Sequence, residues 1–242
     1  MELIIQISYL LAAIMFILGL KQMSSPVTAR RGIHWAGAGM VVATLVTFAA
    51  EEITGNEQAS TNVILIIIAI ALGGGYAWYT GKRVAMTDMP QMIAMYNGMG
   101  GGAAAAIAAV ELLKAQAAVS GGYASSVPDY LGADVTILAI LGAIIGTIAF
   151  SGSIIAWAKL DGRLNSNRLL PQQQLINLIL AIVLVAVALN VYVVGSLNLI
   201  IAFFAIALVL GIFITVPVGG ADMPVIISLF NALTGLAVGF EG

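Results

Sequence analysis

The chain has no cysteine and a single histidine, His34, in 242 residues. Disulfides and thiolate metal sites are thereby excluded, and no cluster of Cys and His exists to hold a zinc ion. Charge is scarce as well. Nine basic and eleven acidic residues make up 8% of the chain, against roughly 25% in an ordinary soluble domain. The N-terminal "MELIIQISYLLAAIMFILGLKQ" lacks the basic segment and small-residue cleavage site of a secretory signal, so it reads as a first membrane span. Alternating ten-residue segments, which would mark a transmembrane β-barrel, are missing too.

Long apolar runs are what the chain has instead: 61% of its residues are hydrophobic. A helix needs about 20 apolar residues to cross a hydrocarbon core of about 30 Å. Runs such as "VILIIIAIAL" are read as helix despite their β-branched content, because backbone polar groups in lipid must be satisfied within the segment. The expected fold class is all-α, a polytopic transmembrane helical bundle. Eight spans are expected, near residues 3–20, 33–50, 61–81, 89–113, 134–158, 175–194, 197–216 and 223–240. Only Gly195 and Ser196 separate the sixth from the seventh, which predicts a tight antiparallel hairpin. The stretch "AQAAVSGGYASSVPDYLGA" is expected to be a surface crossing.

Basic residues accumulate in cytoplasmic loops. With eight spans, Lys21, Arg30, Arg31, Lys82, Arg83, Lys159, Arg163 and Arg168 fall on one side, and Lys114 alone falls on the other. That side is therefore expected to be the cytoplasm, with both termini of these residues periplasmic. Glu2, Glu51, Glu52, Glu57, Glu111, Asp129, Asp134 and Glu241 would lie outside; Asp88, Asp161 and Asp222 would lie inside.

One motif occurs twice. "TDMPQMIAMYNGMGGG" returns as "ADMPVIISLFNALTGL", with Asp88 and Asn97 matched by Asp222 and Asn231, 134 residues further on. The same shift carries Gly101 to Gly235. It implies two four-helix halves, residues 1–116 and 134–242, sharing one membrane direction and related by an axis along the bilayer normal. Each aspartate suits a helix N-terminus, where it can cap free N–H groups, and Pro90 or Pro224 is tolerated in the first turn. A carboxylate at the cytoplasmic mouth could equally receive protons or meet a soluble domain. Nine residues of helix put each asparagine about 13 Å deeper, near mid-bilayer. There an amide either glues helices together or lines a polar pathway.

Ser151, Ser153, Thr44, Thr47, Tyr96, Thr234 and Asn190 are lesser pathway candidates, each with an ordinary role as a local donor. Gly73, Gly74, Gly75, Gly98, Gly100, Gly101 and Gly102 let helix backbones approach. His34 follows Arg30 and Arg31 and reads as an interfacial residue. No Asp, Glu, Lys, Arg or His stands at the centre of any span.

In order, "ARRGIHWAGAGM", "TDMPQMIAMYNGMGG", "FSGSIIAWAKLDGRL" and "GGADMPVIISLFNALTGLAVGF" span most of the chain. Together they resemble the membrane domain of the beta subunit of proton-translocating NAD(P) transhydrogenase. The resemblance implies a bacterial inner-membrane complex of alpha and beta subunits, dimeric overall, in which proton flow drives hydride transfer from NADH to NADP⁺ in soluble domains. NADP(H) and NAD(H) would be the cofactors of those domains, with none bound by these residues. No G-x-G-x-x-G follows a strand here, and the chain is expected to be part of a longer subunit that continues with one more membrane helix and an NADP(H)-binding domain. By position, Asn231 corresponds to the family's midmembrane asparagine and Asp222 to its aspartate at the cytoplasmic mouth. Asn97 stands where many members have a relay histidine, so an imidazole is expected from a membrane helix of the alpha partner. Gln91 replaces a frequent Glu, while Arg163 and Ser153 match less specifically. The implied proton pathway comprises Asn97, Asn231, Asp222, Asp88, Ser153 and Thr234. Two readings from other classes are a secondary transporter with a midmembrane polar site and a simple membrane anchor. Nothing points to nucleic acid.

Overall fold

Apolar runs flanked by charge become long helices because helix is the conformation that pairs every backbone N–H within its own segment. The computed structural model describes residues 2–50, 53, 55, 58–164 and 170–241. Arg168, Glu51, Glu52 and Glu57, assigned to loops above, lie outside the described residues. The helices are α1 (Glu2–Met23), α2 (Ala29–Thr47), α3 (Ala59–Arg83), α4 (Met89–Ser120), α5 (Val127–Leu131), α6 (Ala133–Leu160), α7 (Gln173–Val194), α8 (Leu197–Thr215) and α9 (Met223–Glu241). No strand occurs among the described residues. The fold is an all-α, polytopic helical bundle.

Seven of these helices, α1, α3, α4, α6, α7, α8 and α9, are long and apolar enough to cross a membrane. The eighth expected span, α2, is helical over 19 residues but is not among them. Arg30, Arg31 and His34 at its start and three glycines within it dilute its hydropathy. The crossing after α4 also differs from expectation. Helix α4 runs on to Ser120, with Leu112, Ala115 and Ala118 buried, because "AQAAVS" keeps both helix-forming residues and the apolar stripe. The remaining link contains α5, whose Val127 is fully buried.

The chain divides into two compact units, Met1–Arg83 and Val84–Gly242. In the first, α1 and α2 meet along a seam of small residues. A Cβ at Gly19 would stand 2.9 Å from the Gly32 carbonyl oxygen, and one at Gly39 would stand 3.1 Å from that of Ala12. The seven-residue spacing on both helices repeats the contact two turns apart, an antiparallel register held by backbone proximity. Tyr9 and Thr47 share a hydrogen bond between their hydroxyls at 2.9 Å.

In the second unit α6 is the central helix, packed against α4, α8 and α9. Around it Leu112, Leu184, Phe203, Leu210 and Val191 form one apolar core. The α7–α8 link turns at Gly195, whose φ of 59° is a left-handed conformation that costs glycine little. Ser196 then caps α8, its Oγ accepting from the Leu199 N–H at 3.3 Å.

Candidate functional site

Three consecutive residues of α6 face three different helices. Ser151 lies against Gly211 of α8, and Gly152 lies under the Phe230 ring of α9. Ser153 is fully buried and accepts from the Asn97 side chain of α4, Nδ2 to Oγ, at 2.9 Å. Small side chains here follow from that geometry: any Cβ at Gly152 or Gly211 would overlap Phe230 or Ser151. A glycine pair sets the approach of α4. A Cβ at Gly101 would lie 2.9 Å from the Gly146 carbonyl oxygen, and one at Gly146 would lie 2.7 Å from that of Gly101. The Asn97 amide thus sits inside a backbone-to-backbone seam, 8% exposed. Its Oδ1 is buried and makes no hydrogen bond among the described residues.

Helix α9 meets the same site from the other side. A Cβ at Gly100 would stand 3.2 Å from the Thr234 methyl, which places Thr234 one turn beyond the level of Asn97. Both α4 and α9 run antiparallel to α6, as the pairs Gly98–Ser153 and Gly101–Gly146 require for α4 and Gly152–Phe230 and Gly142–Glu241 require for α9. They are therefore parallel to each other, and the Gly100–Thr234 contact sets Asn97 and Asn231 level in depth. Their environments differ. Asn231 is exposed on α9, turned away from the seam that encloses Asn97. Thr234 Oγ1, like Asn97 Oδ1, is buried without a hydrogen-bond partner among the described residues.

The local backbone of the two Asp-Met-Pro copies is the same. Each is preceded by one 3₁₀ turn, Met86–Asp88 or Gly220–Asp222, entered from an extended residue: Ala85 at φ −71°, ψ 152°, and Gly219 at φ −70°, ψ 155°. The capping expected of Asp88 is absent. It lies at the N-cap of α4 without a side-chain bond to the helix, and its Oδ1 accepts from the Thr87 hydroxyl at 3.2 Å. Asp222 is likewise exposed.

The family described as NAD(P) transhydrogenase beta subunit matches residues 5–242. The chain belongs to that family. A curated relative, "NAD(P) transhydrogenase subunit beta" of Rhodospirillum rubrum, is 34% identical over 231 residues, which is 95% of this chain and 47% of the relative. A protein of the same description from one strain of that species matches equally. The chain spans about half the length of the curated relatives it matches.

Of the positions in this beta-subunit-family chain expected to form a pathway, α4 and α6 bring Asn97 and Ser153 together, and Thr234 packs one turn away. Asn231, Asp88 and Asp222 remain exposed. Asn97 is thus enclosed between α4 and α6, whereas Asn231 is not. Most lesser candidates act locally. Thr47 donates to the Ala43 carbonyl at 2.8 Å, Ser151 to Thr147 at 3.1 Å and Asn190 to Ala186 at 2.8 Å. His34 is exposed on α2. A groove of ≈ 510 Å³ between α4, α6 and α8 is walled by Gly102, Ala106, Phe150 and Phe204 and reaches neither asparagine, which gives the transporter reading no support.

Sequence reading missed the polar contacts at the C-terminal end of α6. Gln91 Nε2 donates to the Leu160 carbonyl at 3.3 Å. Lys159 Nζ donates to the carbonyls of Val216 and, at 2.7 Å, Val218. All three acceptors are backbone atoms distant in sequence from their donors, so no residue pattern announces them.

Proposed function

We propose that this chain is the proton-translocating membrane part of a bacterial NAD(P) transhydrogenase. In the complete complex, proton flow drives hydride transfer from NADH to NADP⁺, giving NAD⁺ and NADPH, in soluble domains that hold NAD(H) and NADP(H). The described residues contain no strand, so the strand-turn-helix that cradles a dinucleotide pyrophosphate has no counterpart among them. This segment alone is expected not to transfer hydride. It would assemble with the membrane helices of an alpha subunit, in a dimeric complex, in the inner membrane. With α2 counted as the eighth span, the distribution of basic residues assigns both ends of the segment to the periplasm.

The observation that carries this reading is the buried Asn97–Ser153 pair with a spare acceptor, Asn97 Oδ1. A buried carbonyl oxygen without a donor is costly, and water or a partner imidazole N–H would relieve that cost. Asn97 cannot titrate, so its role is to orient the group that carries the proton. Asn231, level with it and facing outward, would present a second amide to the partner's helices. A polar side chain in hydrocarbon calls for such a neighbour. Asp222 and the turn before it would report the state of the site to the NADP(H) domain, and Asp88 occupies the equivalent turn of the first copy. The shared geometry of the two turns supports an origin by duplication, with halves 1–116 and 134–242.

The test is Asn231→Ala in the complete complex reconstituted into vesicles. Hydride transfer stimulated by a proton gradient should fall by about ten-fold or more. Undiminished stimulation would refute the role given to the asparagine pair.

A further inference from the structure

The inner ends of α4, α6 and α9 meet in a small apolar cluster of Ala94, Ala156, Met223 and Ile227, with Trp157, Leu160 and Val218 packed against it. Polar contacts tie the same three elements. Gln91, three residues after Asp88, donates to the Leu160 carbonyl. One residue earlier on α6, Lys159 reaches across to the carbonyls of Val216 and Val218, in the link that leads through Gly219 to Asp222. Both Asp-Met-Pro turns are thus fastened to one helix end. Two acceptors on a single short link fix its path more closely than one would, and a half-buried ammonium gives charge-assisted bonds.

We infer that Lys159 is a positioning residue that straps the 216–219 link, and with it Asp222, to the helix that carries Ser153. Ser153 and Lys159 are six residues apart on α6, about 9 Å along the axis. A rotation or shift of α6 that follows a change at the Asn97–Ser153 bond therefore moves the Asp222 turn as a rigid extension. Without the strap the link relaxes independently of α6. This inference rests on the proton-coupling function proposed above and adds the residue that conveys the change to the cytoplasmic face.

The experiment uses the complete complex in vesicles, with Gly219→Cys added to this otherwise cysteine-free chain. A Cβ at Gly219 meets nothing within 4 Å, so the label site is tolerated. A membrane-impermeant maleimide is applied to the face that carries the link, and labelling of this chain is read by mass spectrometry. Lys159→Met should speed labelling by about ten-fold as the link opens. It should also lower gradient-stimulated hydride transfer about ten-fold while leaving the rate with a protonophore within about two-fold. Lys159→Arg, which keeps the charge and donors, should restore most of both. If Lys159→Met does not assemble, Lys159→Gln is read against the same thresholds. Unchanged labelling, or a loosened link with unchanged gradient stimulation, would overturn the strap. A wild-type complex indifferent to the gradient would sink the proposed function as well, whereas a responsive wild type beside an unaffected Lys159 variant sinks the strap alone.

Discussion

Gly101 and Gly146 lie so close that a methyl group on either would press into the other's backbone, at 2.9 Å and 2.7 Å from the facing carbonyl oxygens. This contact brings α4 near enough to α6 for the short side chains of Asn97 and Ser153 to bond at 2.9 Å. Helix spacing and the polar contact are therefore one feature.

Gly101→Ala should destabilise the second unit by about 1–3 kcal/mol, the usual cost of overpacking a well-packed seam. The neighbours are backbone atoms of α6, which cannot swing aside. Gly73→Ala, where a Cβ meets nothing within 4 Å, should be neutral or slightly stabilising through helix propensity. Thermal unfolding of the two variants in detergent checks the contrast, and equal melting temperatures would contradict the seam.

Ser153→Ala removes the Asn97 acceptor and leaves the amide without the bond it makes among the described residues. The expected loss is about 1 kcal/mol, the scale of interhelical hydrogen bonds in membranes. Proton-coupled activity of the complete complex should fall further than stability does, because the amide loses its fixed orientation. A double-mutant cycle with Asn97→Ala should show coupling between the two positions; additive effects would argue against the bond.

Asn231→Leu separates folding from function. Asn231 is exposed and its replacement leaves no cavity in the described bundle, so stability of this segment should change by no more than about 0.5 kcal/mol. In the complete complex the same variant should lose gradient-stimulated hydride transfer. Melting curves and vesicle assays on one preparation read both outcomes.

Asp129 gives a pH prediction outside the spans. The Ser125 backbone N–H, at 2.8 Å, and its hydroxyl, at 3.0 Å, hold the carboxyl below its ordinary value of 3.8; slight burial opposes them. A folded pKa below the unfolded one means that the carboxylate contributes stability above pH 3.8 and loses it as pH falls through the lower, folded value. The stability difference between wild type and Asp129→Asn should be constant near neutrality and close only on acidification below that range. A difference that widened toward low pH would have the wrong sign.

Much of this architecture could be read from residue order. Charge scarcity and apolar run length settle the all-α membrane class because hydrocarbon leaves the backbone no partner but itself. Gly195-Ser196 marks the α7–α8 turn through local conformational preference alone. The Asp-Met-Pro repeat located the starts of α4 and α9, and matched spacing put Asn97 and Asn231 at one depth. The expected helix at α2 formed, although it is less apolar than the seven long enough and apolar enough to cross a membrane.

What tertiary structure decided was direction. The rotation of α4 and α9 about their axes determines that Asn97 is enclosed against Ser153 while Asn231 faces outward, and periodicity cannot distinguish the two when every face of a helix is apolar. It also decided that Asp88 does not cap α4 and that Lys159 binds backbone carbonyls 57 and 59 residues away. Side-chain identity establishes which bonds are possible, whereas the packing of distant backbones selects the ones that form.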